Sequence, residues 1–144
     1  MEIERKYLVH TLPENYTSFP CRQLEQGYLC TEPVVRIRQD NENYELTYKS
    51  KGLLVREEYN LPLTEEAYKH LREKVDGKLI TKKRYMIPYK EYMIELDVFE
   101  GPLAPLKFAE VEFDSIDEAE CFTPPDWFGE DVTFEAKYKN SNLI

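Results

Sequence analysis

Glycine is scarce in this chain, with five among 144 residues, and none forms a Gly-rich loop that could cradle phosphate through backbone N–H groups. Any phosphate bound here has to be held by side chains. Cys21, Cys30 and Cys121 are odd in number, lack C-x-x-C spacing and have no neighbouring histidine, so neither a disulfide framework nor a zinc site is indicated. Histidine is almost absent: His10 and His70 lack metal-ligand spacing and are expected to sit at the surface rather than act as bases. No apolar run approaches the roughly 20 residues that cross a bilayer as a helix. The opening Met1–Lys6 is too charged for a signal peptide and no apolar segment follows it, so the cytoplasm is the expected location. Positive charge is in the minority, 19 Lys and Arg against 28 Asp and Glu, for a net −9. That balance opposes non-specific attraction to nucleic acid. A polyanionic ligand would need positive charge concentrated locally.

What the chain does have is alternation. Its length suits one domain, residues 1–144, with 42% hydrophobic and 33% charged residues as in soluble globular proteins. Period-2 patterning predicts strands at Glu2–Val9, Cys21–Thr31, Val34–Asp40, Asn43–Lys51, Leu54–Leu61, Leu79–Tyr89, Tyr92–Phe99 and Lys107–Phe113. Eight strands suffice for a small closed barrel, and short polar breaks between several of them favour antiparallel hairpins. A helix capped by Thr64 presents Ala67, Tyr68, Leu71 and Val75 as one stripe and is expected to end at Asp76-Gly77. Ser115–Cys121 predicts a second, short helix. The fold class is therefore mainly β (α+β): an eight-stranded antiparallel barrel forming a tunnel, with one or two covering helices.

Residues two apart on a strand share a face, which separates charged from apolar positions. Glu2, Glu4 and Lys6 oppose Ile3, Tyr7 and Val9, and Arg36 and Arg38 oppose Val35 and Ile37. Glu45, Thr47, Lys49 and Lys51 share a face, as do Arg56 and Glu58, Lys82 and Arg84, Glu95 and Asp97, and Glu110 and Glu112. Carboxylates gather on the first and last two strands, and mostly cations lie between. A charged strand face is ordinarily a solvated one. Solvated faces usually mix signs, because like charges held close repel, so this sorting implies ligands that neutralise it. With the charged faces turned inward, the barrel encloses a polar tunnel. Its apolar faces then point outward, to be covered by helix, tail or a second subunit, so a homodimer is one arrangement.

The tunnel suits a triphosphate. Hard cations such as Mg²⁺ or Mn²⁺ prefer carboxylate oxygens, which Glu2, Glu4, Glu110 and Glu112 can supply. Arginine forks match pairs of phosphate oxygens, and lysines add point charge. Phosphoryl transfer is then helped mainly by positioning and fixed positive charge.

These residues also resemble the triphosphate tunnel metalloenzymes, or CYTH proteins, named after class IV adenylyl cyclases and thiamine triphosphatases. Glu2-Ile3-Glu4-Arg5-Lys6 is similar to that superfamily's N-terminal E-x-E-x-K signature. The likeness continues in order through Gln26–Leu29, Val35–Arg38, Leu46–Gly52, Lys82–Tyr85, Glu95–Gly101, Ala109–Phe113 and Asp131–Thr133. The resemblance implies Glu2, Glu4, Glu110 and Glu112 as metal ligands. It implies Lys6, Arg36, Arg38, Lys49, Lys82 and Arg84 as phosphate ligands, with Lys51, Arg56 and Lys137 added as substrate contacts. One of Lys6, Lys49 and Lys82 is expected to help activate water. Two departures stand out: Asn60 where many relatives carry a glutamate, and Lys137 where an arginine is common, which would put a point charge near the tunnel mouth.

Metal-dependent hydrolysis of inorganic triphosphate to pyrophosphate and orthophosphate is the leading expectation, because the chain shows no inserted loops to grip a nucleoside. A class IV-type adenylyl cyclase and a thiamine triphosphatase are alternatives within enzymes. A polyphosphate- or nucleotide-binding module without turnover is the alternative of another class. The expected partner is a small-molecule triphosphate, with neither nucleic acid nor membrane involved.

Overall fold

A computed structural model of the chain describes residues 1–144. Its nine strands are β1 (Glu2–Leu8), β2 (Cys21–Thr31), β3 (Val34–Asp40), β4 (Asn43–Lys49), β5 (Val55–Arg56), β6 (Glu58–Pro62), β7 (Asp76–Tyr89), β8 (Tyr92–Phe99) and β9 (Lys107–Glu112). They form one antiparallel sheet in the order β5-β1-β9-β8-β7-β2-β3-β4-β6. Its two edges, β5 on β1 and β6 on β4, are separated in the chain by Glu57 alone. The sheet therefore curls into a nearly closed barrel, with one bent segment joining its edges. No helix is long and apolar enough to cross a membrane.

The single strand expected over Leu54–Leu61 is divided, and the reason is local. Ser50 takes Glu57 out of the ladders: its N–H donates to the Glu57 carbonyl at 3.0 Å, and its hydroxyl accepts the Glu57 N–H at 2.9 Å. The same contact ends β4 at Lys49, two residues before the expected Lys51. Two hairpins turn on residues in the left-handed region, Asn41 (φ 52°) between β3 and β4 and Lys90 (φ 54°) between β7 and β8. Asparagine adopts that conformation readily.

The first helix, α1 (Glu65–Arg72), is capped by Thr64, whose hydroxyl accepts the Ala67 N–H at 3.1 Å. It buries Tyr68 and lies over β3 and β4. It stops short of the expected Asp76, because Val75 leaves the helix to pack on Gly27, where a Cβ would meet Val75 Cγ1 at 2.6 Å. The chain then enters β7 at Asp76 rather than Leu79, paired with Tyr28 of β2. The second helix, α2 (Ile116–Cys121), is capped by Ser115 and packs on β1.

Two apolar clusters sit on opposite sides of the barrel wall. Outside, Ile3, Tyr7, Val9, Tyr85, Ile87, Ile94, Leu96, Val111 and Phe113 are covered by Ala119 of α2 and by Phe122, Trp127 and Phe128 of the tail. The outer face of β6 is uncovered, leaving Tyr59 and Leu61 exposed. Inside, the inward-facing positions turn from charged to apolar at one end: Leu8, Tyr28, Val34, Ile80, Phe99 and Phe108 pack together with Val132, Tyr138, Leu143 and Ile144. The lumen is thus charged over part of its length and filled at one end.

Candidate functional site: the charged lumen

Strand alternation carries the inward side chains to a cavity of about 270 Å³. Glu2, Glu4, Lys6, Arg36, Arg38, Lys49, Arg56, Arg84, Glu110 and Glu112, all named from sequence, line it. Three others named from sequence do not. Lys51 is exposed beyond the end of β4. Lys137 is also exposed, its ammonium 5.0 Å from the centre of the Tyr138 ring, while Lys139 lines the cavity instead. Lys82 is fully buried among the inward side chains, donating to Asp97 Oδ2 at 2.6 Å instead of lining the cavity.

The carboxylates converge from the register of β1 and β9, in which Glu4 lies opposite Glu112 and Lys6 opposite Glu110. Burial, then the charges of Glu110 and Glu2, hold the Glu4 carboxyl well above the ordinary carboxylate range. Glu110 goes the other way: burial opposes ionisation, but Lys6, a hydrogen bond from Glu4 and Arg84 keep it well below that range. The two carboxyls thus shift in opposite directions, as neighbouring buried acids do when both cannot ionise freely. Glu112 is raised by burial and by Glu2, Glu58 and Glu95. Glu110 Oε1 is buried without a hydrogen-bond partner, and an unsatisfied carboxylate oxygen beside a second buried carboxyl marks a place where a cation would be welcome.

No three carboxylates stand close enough to form a ready-made metal cage. Mg²⁺, for one, is usually held by one or two carboxylates, with waters and substrate phosphate oxygens completing its shell. Glu4 and Glu110 fit that part, with Glu2 and Glu112 beside them.

Most cations are anchored by acids. Asp97, fully buried, accepts from Lys82 and from Arg84 Nε (2.7 Å) and a terminal nitrogen (2.9 Å). Burial outweighs Asp97 and lowers the Lys82 pKa to about 7. Lys49 reaches Glu2 at 3.0 Å and Glu58 at 3.4 Å. Arg38 makes no ion pair. Burial, Arg36 and Arg84 lower its pKa to about 9, which leaves it charged at neutral pH.

Sequence reasoning missed the part of the wall that the C-terminal segment supplies. The segment after β9 runs back along β1, with the Val132 N–H donating to the Lys6 carbonyl at 2.9 Å and the Lys6 N–H to Thr133 Oγ1 at 3.0 Å. Thr133, Glu135, Tyr138, Lys139 and Ser141 then line the cavity, and Lys6 Nζ donates to the Tyr138 carbonyl at 2.9 Å. This stretch has no strand or helix periodicity to betray it. Arg22 of β2, which lines the cavity, and Gln26, fully buried against Arg38 behind the lining, were also missed, although their parity with Tyr28 was a usable signal.

Residues 1–140 match the CYTH domain family. The chain belongs to that family. Among relatives of this CYTH protein, one from Nitrosomonas europaea named inorganic triphosphatase is 42% identical over 99% of this chain and 95% of its own length. Another of that name, from Acetivibrio thermocellus, is 36% identical over 99% and 92%. A crystal structure described as an inorganic triphosphatase superposes on the CYTH barrel with a TM-score of 0.74 at 39% identity, covering 99% of this chain and 93% of that one.

Proposed function

We propose that this CYTH protein is a metal-dependent triphosphatase that splits inorganic triphosphate into pyrophosphate and orthophosphate. The observation that carries this reading is a single buried lumen in which the arginines of β3, one of them without an ion pair, share the cavity with the Glu4–Glu110 pair. Two relatives that match nearly end to end bear the name inorganic triphosphatase. Of the 26 residues that line the cavity, five are hydrophobic, too few to bury a nucleobase or thiazole ring.

In the proposed mechanism Arg36, Arg38, Arg84 and Lys6 bind the phosphate oxygens and spread positive charge along the chain. Arginine forks fix the scissile phosphorus in line with water, the larger part of the help that phosphoryl transfer can receive. Glu4 and Glu110, with Glu2 and Glu112, would hold Mg²⁺ or Mn²⁺, which when bound supplies further neutralisation of phosphate charge. Lys49, clasped by Glu2 and Glu58, holds the carboxylates apart from the cations of β3. We assign proton abstraction from water to Lys82: its pKa of about 7 suits a general base, and it must swing off Asp97 to act. The three free thiols are compatible with a reducing cytoplasm. The uncovered outer face of β6 could be buried by a second copy of the chain, which sedimentation over a range of concentrations would reveal.

Phosphate release from tripolyphosphate, ATP and thiamine triphosphate, each with Mg²⁺ or Mn²⁺, tests the proposal. Fastest turnover is expected on tripolyphosphate. Cyclic AMP and pyrophosphate from ATP would instead indicate a cyclase.

A further inference from the structure

Lumen cations divide by the charge of their partners. Lys49, Lys82 and Arg84 each touch a carboxylate within 3.4 Å. Arg38 is held by an amide alone: its Nε and a terminal nitrogen both donate to Gln26 Oε1, at 2.9 and 2.6 Å. Gln26 is fully buried and stands opposite Arg38 in the β2–β3 ladder. Its own Nε2 donates to the Tyr28 hydroxyl at 3.2 Å, and the donor-only guanidinium fixes the amide with its oxygen toward Arg38. Flipped, the amide would set N–H donors against N–H donors.

We infer that Gln26 is the positioning residue of Arg38, fixing its fork in the lumen through a neutral acceptor that leaves the positive charge for the phosphate. This deepens the proposed triphosphatase reading and rests on it. A carboxylate at position 26 could hold the same fork, and hold it harder, because a bidentate carboxylate–guanidinium pair is stronger than an amide bond and would compete with phosphate for the same nitrogens. An apolar residue there would leave the charge free and the fork unguided. Arg36 follows the same logic less strictly: a terminal nitrogen donates to Thr47 Oγ1 at 3.1 Å, Thr47 donates onward to Asn60 Oδ1 at 2.6 Å, and Glu45 stands 3.9 Å away. Arg38 has no such carboxylate.

The inference separates two substitutions of nearly equal volume. Gln26→Glu should weaken binding of metal-free tripolyphosphate, measured by calorimetry, by tenfold or more, and raise KM by a similar factor with a smaller loss of kcat. Gln26→Met should keep KM within about threefold and lower kcat about tenfold or more, because charge remains but alignment is lost. In an Arg38→Ala background Gln26→Met should cost nothing further. Gln26→Glu binding tripolyphosphate as tightly as wild type overturns the inference, as does an undiminished effect of Gln26→Met without Arg38. If Gln26→Glu does not fold, the Gln26→Met and Arg38→Ala comparison decides alone. A wild type that binds tripolyphosphate without cleaving it would sink the triphosphatase reading while the binding comparison still judged Gln26; one that does not bind it would sink both.

Discussion

Asp97→Asn should destabilise the protein by about 3–5 kcal/mol, the usual cost of removing one partner from a buried ion pair. Asp97 is fully buried and accepts three charge-assisted hydrogen bonds from Lys82 and Arg84. Asparagine keeps one acceptor oxygen; with its amide nitrogen at the Oδ2 position two of these bonds are lost, each worth roughly 1.5–3 kcal/mol, about 3–6 kcal/mol together, which overlaps that range. For a chain of this size the melting temperature should fall by about 10–15 °C. Metal-free tripolyphosphate should restore more stability to the variant than to wild type, because Arg84, released from Asp97, faces a lumen able to hold an anion. A ligand at a hundred times its Kd adds about 2.7 kcal/mol to a protein that already binds it, and the variant should gain more. Thermal and urea unfolding with and without tripolyphosphate measure both effects. A melting temperature within about 3 °C of wild type, or equal stabilisation of the two proteins by the ligand, would refute the reasoning.

Glu4→Gln should abolish metal-dependent turnover and stabilise the metal-free protein at neutral pH. Because the folded Glu4 pKa is raised, wild type carries its penalty above the unfolded value and sheds it in acid, so unfolding curves should show the gain at pH 8 and none by about pH 4. Arg38→Ala should weaken both binding and turnover and Arg38→Lys should recover only part, whereas His10→Ala and His70→Ala should leave steady-state kinetics unchanged. With Lys82 as base, kcat/KM should rise with pH through about 7, and Lys82→Arg should lose that limb; an unaltered pH profile in the variant would remove Lys82 from the mechanism.

The charged faces of β1, β3, β8 and β9 were legible because alternation with period 2 fixes which side chains share a side, whatever the rest of the chain does. That Glu2, Glu4, Arg36, Arg38 and Glu110 meet required closure, for which eight alternating segments were sufficient reason. The split at Glu57 was not legible, since it depends on Ser50 reaching across to one backbone unit. Nor was the early end of α1, where Val75 trades a helical stripe for contact with Gly27. Lys51 shares a charged face with Lys49, and Lys137 stands where relatives commonly carry arginine, yet both lie outside the cavity, because β4 stops before one and the tail turns the other to solvent. The wall formed by Thr133, Tyr138 and Lys139 has no regular period, so only the fold could place it.

Phosphorus NMR of tripolyphosphate incubated with chelator-treated protein, before and after addition of Mg²⁺ or Mn²⁺, bears most directly on the lumen as a site of triphosphate hydrolysis. The tripolyphosphate signals should persist without metal, then give way to pyrophosphate and orthophosphate in equal amounts, with Glu110→Gln silent under both conditions. Persistence of tripolyphosphate after metal is restored, or undiminished cleavage by Glu110→Gln, would contradict it.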